Sequence, residues 1–178
     1  MGFLVSTEAT IASALSAAMA PPPPPDITHW CETNIVFDER SPMPGPFRID
    51  RFVFLREIHE VLSPEHPCRE VTIRGSAQWG KTVSIVNPTV GAWHEHGPLD
   101  SLVVHPTHSS ATEWVDNKWF PMRRSAPSLS RLFGNGRGGD NKDAKFNQET
   151  VTRDGSLKIT SAGSPDDLAG TSRRLVVL

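Results

Sequence analysis

Residues 75–82 read Gly-Ser-Ala-Gln-Trp-Gly-Lys-Thr and satisfy every fixed position of the spacing G-x-x-x-x-G-K-[ST]. The string constrains the fold strongly, because its chemistry needs one setting: a strand that delivers the chain, a glycine-bounded loop, and a helix that begins at the loop. Glycines let the backbone curl so that successive amides converge on phosphate oxygens, and the helix N-terminus adds positive potential. Lys81 is then placed to reach β- and γ-phosphates, and the Thr82 hydroxyl to take a position on Mg²⁺. Val71-Thr72-Ile73 supplies the strand expected ahead of this P-loop, and a helical segment follows that Asn87-Pro88 is expected to interrupt. The rival reading is a solvated glycine-rich turn, which leaves Lys81 without a task.

The chain around the loop alternates strand and helix signals. Leu102-Val103-Val104 is a continuous apolar run, as a strand covered on both faces should be. Ser110-x-x-Glu113 predicts a capping box for a helix through Trp114 and Trp119, stopped near Pro121. Residues 149–160 predict a β-hairpin, with Thr150-Val151-Thr152 and Leu157-Lys158-Ile159 on either side of Asp154-Gly155. Ser164-Pro165-Asp166-Asp167 predicts a helix start, with Ser164 as N-cap, Asp166 and Asp167 as first-turn carboxylates and Gly170 closing the helix. Leu175-Val176-Val177-Leu178 predicts another buried strand. Upstream, Phe47, Val53, Phe54, Leu55, Ile58, Val61 and Leu62 follow helical spacing until Ser63-Pro64. The expected fold class is α/β: a P-loop NTPase with a mainly parallel sheet, flanking helices and a β-hairpin.

The N-terminal quarter has another character. An alanine-rich stretch, residues 7–19, has helix-forming composition, and five consecutive prolines, residues 21–25, then impose an extended spacer. Ser-Pro-Met-Pro-Gly-Pro at 41–46 reads as a second loop. Residues 1–46 are therefore expected as a flexible tail and proline-rich linker, and residues 47–178 as a partial P-loop domain. The apolar N-terminus is broken by Ser6, Thr7, Glu8 and Thr10, and no Lys or Arg precedes Arg40, which argues against a membrane span or a secretory leader. Cys31 and Cys68, without C-x-x-C spacing, suit reduced thiols and a cytoplasmic setting.

A formal net charge of -2 means that nucleic-acid contact must come from a local patch. Residues 118–139 offer one: Lys118, Arg123, Arg124, Arg131 and Arg137 occur there with no acid, so Arg123, Arg124, Arg131 and Arg137 are the candidate DNA contacts. The rival reading is a solvated loop. His94, Glu95, His96, His105 and His108 lack the spacing of a metal site.

Three passages carry a resemblance: Ile73 to Thr82, then Leu102-Val103-Val104-His105-Pro106-Thr107, then residues 161–169 leading into the strand at 175–178. Together, in this order and spacing, they resemble the GpA-type large terminase subunits of tailed phages, ATPases that package DNA into empty capsids. The resemblance runs from about residue 47 to 178. It implies ATP and Mg²⁺ as cofactors, phosphate contacts from Gly75, Ser76, Ala77, Gln78, Trp79, Gly80, Lys81 and Thr82, and a catalytic role for Lys81. Implied partners are double-stranded viral DNA, a small terminase subunit, a portal and further copies of the chain, in the host cytoplasm. Walker B acids would follow Leu178 in that family, so the expectation for residues 1–178 is ATP binding with poor turnover. Many large terminases carry an arginine inside the loop; here Gln78 and Trp79 stand there, Arg74 precedes it, and Arg173 or Arg174 is the remaining candidate for stabilising transition-state charge. Another P-loop DNA translocase or helicase-like ATPase, and a non-catalytic remnant that binds DNA or partner subunits, stay open as alternatives.

Overall fold

The computed structural model describes residues 11, 15, 16, 19, 25–37, 39, 41–134, 143–152, 154–169 and 172–178. Of the alanine-rich stretch, Ile11, Leu15, Ser16 and Met19 are helical and exposed. Helix α1 (Ile27–Asn34) starts at Asp26, whose carboxylate accepts the His29 amide at 3.1 Å. It buries Ile27, Trp30 and Cys31 in the core, so this part of the expected tail belongs to the folded body. Strands β1 (Val36–Phe37) and β2 (Gly45–Pro46) pair antiparallel. The single helix expected over 47–62 is instead a 3₁₀ turn, Ile49–Arg51, and a shorter helix α2 (Leu55–Val61). Aromatic packing accounts for the difference: Phe47 continues extended, its amide bonded to the Ile35 carbonyl at 2.9 Å, and the rings of Phe37, Phe47 and Phe52 lie 5.3 to 6.1 Å apart.

Two prolines that should stop helices do not. After the loop, a wide π-type turn, Thr82–Val86, continues without a break into α3 (Asn87–His96), with Pro88 inside. Proline offers no N–H to the carbonyl four residues back and its ring crowds that carbonyl. The helix answers by widening: the Asn87 amide donates to the Thr82 carbonyl, five residues back. The Ser84 carbonyl then receives a hydrogen bond from buried His59 Nε2 at 2.8 Å, while Thr28 Oγ1 lies 3.0 Å from His59 Nδ1. Pro121 is handled the same way. Helix α4 (His108–Trp114) runs through the wide turn Val115–Trp119 into α5 (Phe120–Ser125), and the Phe120 amide donates to the Val115 carbonyl.

Between the two long helices lies β3 (Asp100–His105), the buried strand expected at 102–104. Helix α6 (Pro127–Phe133) follows α5; then come β4 (Asp143–Ala144), β5 (Asn147–Glu149), β6 (Ser156–Ser161), α7 (Pro165–Leu168) and β7 (Leu175–Val177). The sheet order is β4-β5-β6-β3-β7, with β3 parallel to both β6 and β7 and antiparallel pairs at the β4-β5-β6 side. The mixed α/β architecture with parallel strands at its centre is thus observed.

Several local expectations shift. The hairpin forms, but Asn147, Gln148 and Glu149 pair with Lys158, Leu157 and Ser156, so Thr150-Val151-Thr152 is connection and not strand. There the Thr150 hydroxyl accepts the Gly155 amide at 3.1 Å and donates to Asp154 at 2.7 Å. Val71-Thr72-Ile73 joins no sheet: Val71 and Ile73 are half-buried and Thr72 exposed, alternation without a backbone ladder. The cap of α4 is Thr107 and not Ser110; the two close a reciprocal box, each side chain bonded to the other's amide at 3.1 Å. Ser164 precedes α7 without a side-chain cap bond, and Gly170 lies outside the described residues. Strand β7 sits at the sheet edge, so it is half-covered, with Val176 49% exposed. Among the described residues no helix is long and apolar enough to cross a membrane.

Candidate nucleotide-binding site

Two side-chain ties give the direction of the helix behind the loop. Near its C-terminal end, His94 Nε2 lies 2.7 Å from Ser101 Oγ, at the start of β3. Near its N-terminal end, Asn87 Oδ1 accepts Trp114 Nε1 at 2.9 Å, and the Trp114 ring lies 5.4 Å from that of His105, the last residue of β3. Helix and strand therefore run antiparallel, and residues 75–82 stand toward the C-terminal ends of the parallel strands, where ligands of α/β sheets bind.

The loop turns on two different demands for glycine. Gly80 has φ +89°, in the left-handed region that glycine enters without strain. Gly75 is needed for another reason: a Cβ there would run into the indole of Trp79. Gln78, with φ 62°, is the one non-glycine residue among those described with positive φ. Lys81 folds back so that Nζ donates to the carbonyls of Gly75 at 3.1 Å and Ser76 at 2.5 Å, with its charge 5.6 Å from the centre of the Trp79 ring. At the first turn of the helix the Ser84 hydroxyl and amide both bond the Gly80 carbonyl, at 2.8 and 2.9 Å. The Thr82 hydroxyl is half-buried and has no partner among the described residues. A cation held on neutral carbonyls in the mouth of a glycine-bounded loop, followed by an uncommitted hydroxyl at a helix start, is a donor set that fits nucleotide phosphates and their Mg²⁺.

The other candidates separate. Arg123 is 4% exposed: it donates to Gln148 Oε1 at 2.8 Å and to the Gly134 carbonyl at 3.1 Å, and packs on the rings of Phe120 and Phe133. Its guanidinium belongs to the core, which removes it from the expected DNA contacts. Lys118, Arg124 and Arg131 are exposed, and Arg137 lies outside the described residues. Arg173 and Arg174 stand at the wrong end for phosphate: β7 is parallel to β3, and both arginines precede it beside Asp100. Asp167 receives Lys158 Nζ at 3.0 Å and the Thr160 hydroxyl at 3.3 Å, and the ammonium holds its carboxyl below the usual carboxylate range. Among the histidines, burial pushes His94 down to about 4 and lowers His59 and His105. Sequence reasoning passed over His59 and Phe54. Phe54 lies 5.5 Å from Trp79, and the only hint in the text was an aromatic in the loop itself.

A model of the phage terminase large subunit gpA ATPase domain matches residues 41–178. The chain belongs to this family. No curated protein and no solved structure matches it. Membership brings ATP hydrolysis in the service of phage DNA packaging as the activity of the terminase family. The match begins at residue 41, ahead of β2, and spans the loop, the whole five-stranded sheet and the two helices that continue through Pro88 and Pro121.

Proposed function

We propose that the chain is the nucleotide-binding part of a DNA-packaging motor, with residues 75–82 cradling ATP. The observation that carries this reading is Lys81, whose ammonium is drawn into the loop at the head of a helix whose N-terminus stands toward the C-terminal ends of β3, β6 and β7. Bound phosphates would exchange with the Gly75 and Ser76 carbonyls for that ammonium, and the loop amides and Gly80 would close around them. Thr82 would hold Mg²⁺, which supplies neutralisation of the β- and γ-phosphate charge. Lys81→Ala removes charge-assisted contacts worth about 1.5 to 3 kcal/mol each, so affinity for ATP should fall at least about tenfold. Titration of labelled ATP into both proteins checks this, and equal affinities would overturn the assignment.

Turnover is a separate matter. Phosphoryl transfer needs a carboxylate that organises Mg²⁺ and the attacking water. Asp167 is engaged by Lys158 and Thr160, and Asp100 stands at the opposite end of β3 with Arg173. We therefore expect residues 1–178 alone to bind ATP and release phosphate slowly. Steady-state phosphate release that Lys81→Ala abolishes would sink this expectation and bring Asp166 or Asp167 forward as the metal-organising group. For the motor's track, double-stranded DNA, exposed Arg124 and Arg131 are the proposed backbone contacts. A small terminase subunit, a portal and further copies of the chain are the partners this reading requires.

A further inference from the structure

We propose that Trp79 is a positioning residue for Lys81, its ring face holding the ammonium in the mouth of the loop so that phosphate meets a cation already in place. The proposal rests on the phosphate-loop reading above. An ammonium has three N–H donors. Two are taken by the carbonyls of Gly75 and Ser76, and the Trp79 ring, 5.6 Å away, offers its negative face to the third. The ring is itself fixed from two sides. Phe54 lies 5.5 Å from it at an interplanar angle of 54°, and the space inside the first glycine of the motif receives its edge, since any side chain at residue 75 would collide with it.

The polar edge of the indole has no part in this. Trp79 Nε1 is buried without a hydrogen-bond partner among the described residues, so the indole donor makes no bond that would hold the ring in this seat. The π face is what remains to explain a tryptophan there. A ring of the same kind without the N–H should serve, and an aliphatic side chain of similar bulk should not. Gly75 and Trp79 are then a matched pair: the glycine of the motif makes room for the ring that steadies its lysine.

The test is a double-mutant cycle on affinity for ATP with Mg²⁺, read by titration. Trp79→Leu should weaken binding about fivefold, a value in the range of a partly desolvated cation–π contact, while Trp79→Phe should stay within about twofold of wild type. In the Lys81→Met protein, Trp79→Leu should cost less than about twofold, because the ring has no cation to hold. Equal losses in both backgrounds would overturn the proposal and leave the phosphate-loop reading intact. Unchanged affinity in Lys81→Met alone would overturn the reading and the proposal with it. A second readout needs no destabilising variant: the ε-methylene protons of Lys81 in the ligand-free wild-type protein should show an upfield ring-current shift, kept in Trp79→Phe. Its absence in wild type would overturn the proposal.

Discussion

At the N-terminal ends of β3, β6 and β7 a set of polar groups is stitched together, although His94 Nδ1 is buried there without a partner among the described residues. Arg173 donates to Ser156 Oγ at 3.0 Å and lies 3.8 Å from Asp100, Arg174 bonds the Asp100 carbonyl through its amide and sets its guanidinium over Trp93, and Gly155 lies directly against the Leu99 backbone. At the C-terminal ends, beside the bonded Thr107–Ser110 and Thr160–Asp167 pairs, three polar groups are left unpaired: His105 Nε2, Trp79 Nε1 and the Thr82 hydroxyl have no partners among the described residues, and Gln78 holds a left-handed backbone. Paired charge and close backbone contact at one end contribute stability; unpaired polar groups and local strain at the other cost some of it, and of these the half-buried Thr82 hydroxyl is the one placed to meet a ligand. Substitutions at the two ends should therefore sort into stability effects and binding effects.

The largest contrast is in acid. His94, tied to the N-terminal part of β3, is 2% exposed and is lowered by burial from 6.5 to about 4, so the folded state holds it neutral. The unfolded chain binds the proton first, so this contribution to stability is complete above pH 6.5 and is lost as the pH falls toward 4. At about 1.4 kcal/mol per pH unit the loss is about 3 kcal/mol. Burial lowers His59 and His105 in the same direction, so they add to the same acid limb. Urea midpoints measured across that range should drop steeply for wild type and clearly less for His94→Gln, whereas His105→Gln, which removes a less deeply buried ring at the open end, should flatten the drop by a smaller amount. Equal slopes for the two variants would erase the distinction between the ends.

Next in size is Gly155→Ala. The new methyl would come within 2.7 Å of the Leu99 carbonyl oxygen and 3.0 Å of the Leu99 amide nitrogen, both of them backbone atoms. A loss of about 2 kcal/mol in stability is expected with ATP affinity unchanged, measured by urea unfolding and ATP titration on the same preparation. Smallest is Arg124→Ala, at an exposed position on α5. It should leave both stability and ATP affinity as they were, and should reduce the slope of log DNA affinity against log salt by about one unit. An unchanged slope would return Arg124 to the ordinary solvated surface.

Although the strand expected ahead of it at 71–73 pairs with nothing among the described residues, a glycine-bounded turn opening a helix was legible at residues 75–82. The division of labour between its glycines was not: Gly80 serves a dihedral angle, Gly75 serves a ring four residues on, and only the second depends on the third dimension. Helices read as ending at Pro88 and Pro121 continue because a wide turn, with His59 reaching across to Ser84, removes the conflict that proline creates in a regular helix. The basic run failed at one residue for a geometric reason. Successive residues of a helix point about 100° apart, so Arg123 turns inward to Gln148 while Arg124 faces solvent, and a count of charges cannot tell them apart. Thr107 was within reach, since Pro106-Thr107 with Ser110 three residues on is itself a cap signal.

The wide turn behind the loop also sets an angle. A π-type turn is one residue longer than the α-turn it replaces, and one residue of helix corresponds to a rotation of about 100°. Lys81 and Ser84 lie on one side of that added residue; Val90 and His94, which face the core, lie on the other. The turn thus works as a phase shifter between the phosphate end and the sheet end of one continuous helix. Removing a single residue between 82 and 87 would restore the proline conflict at Pro88 and would also rotate the loop by roughly a quarter turn relative to the parallel strands.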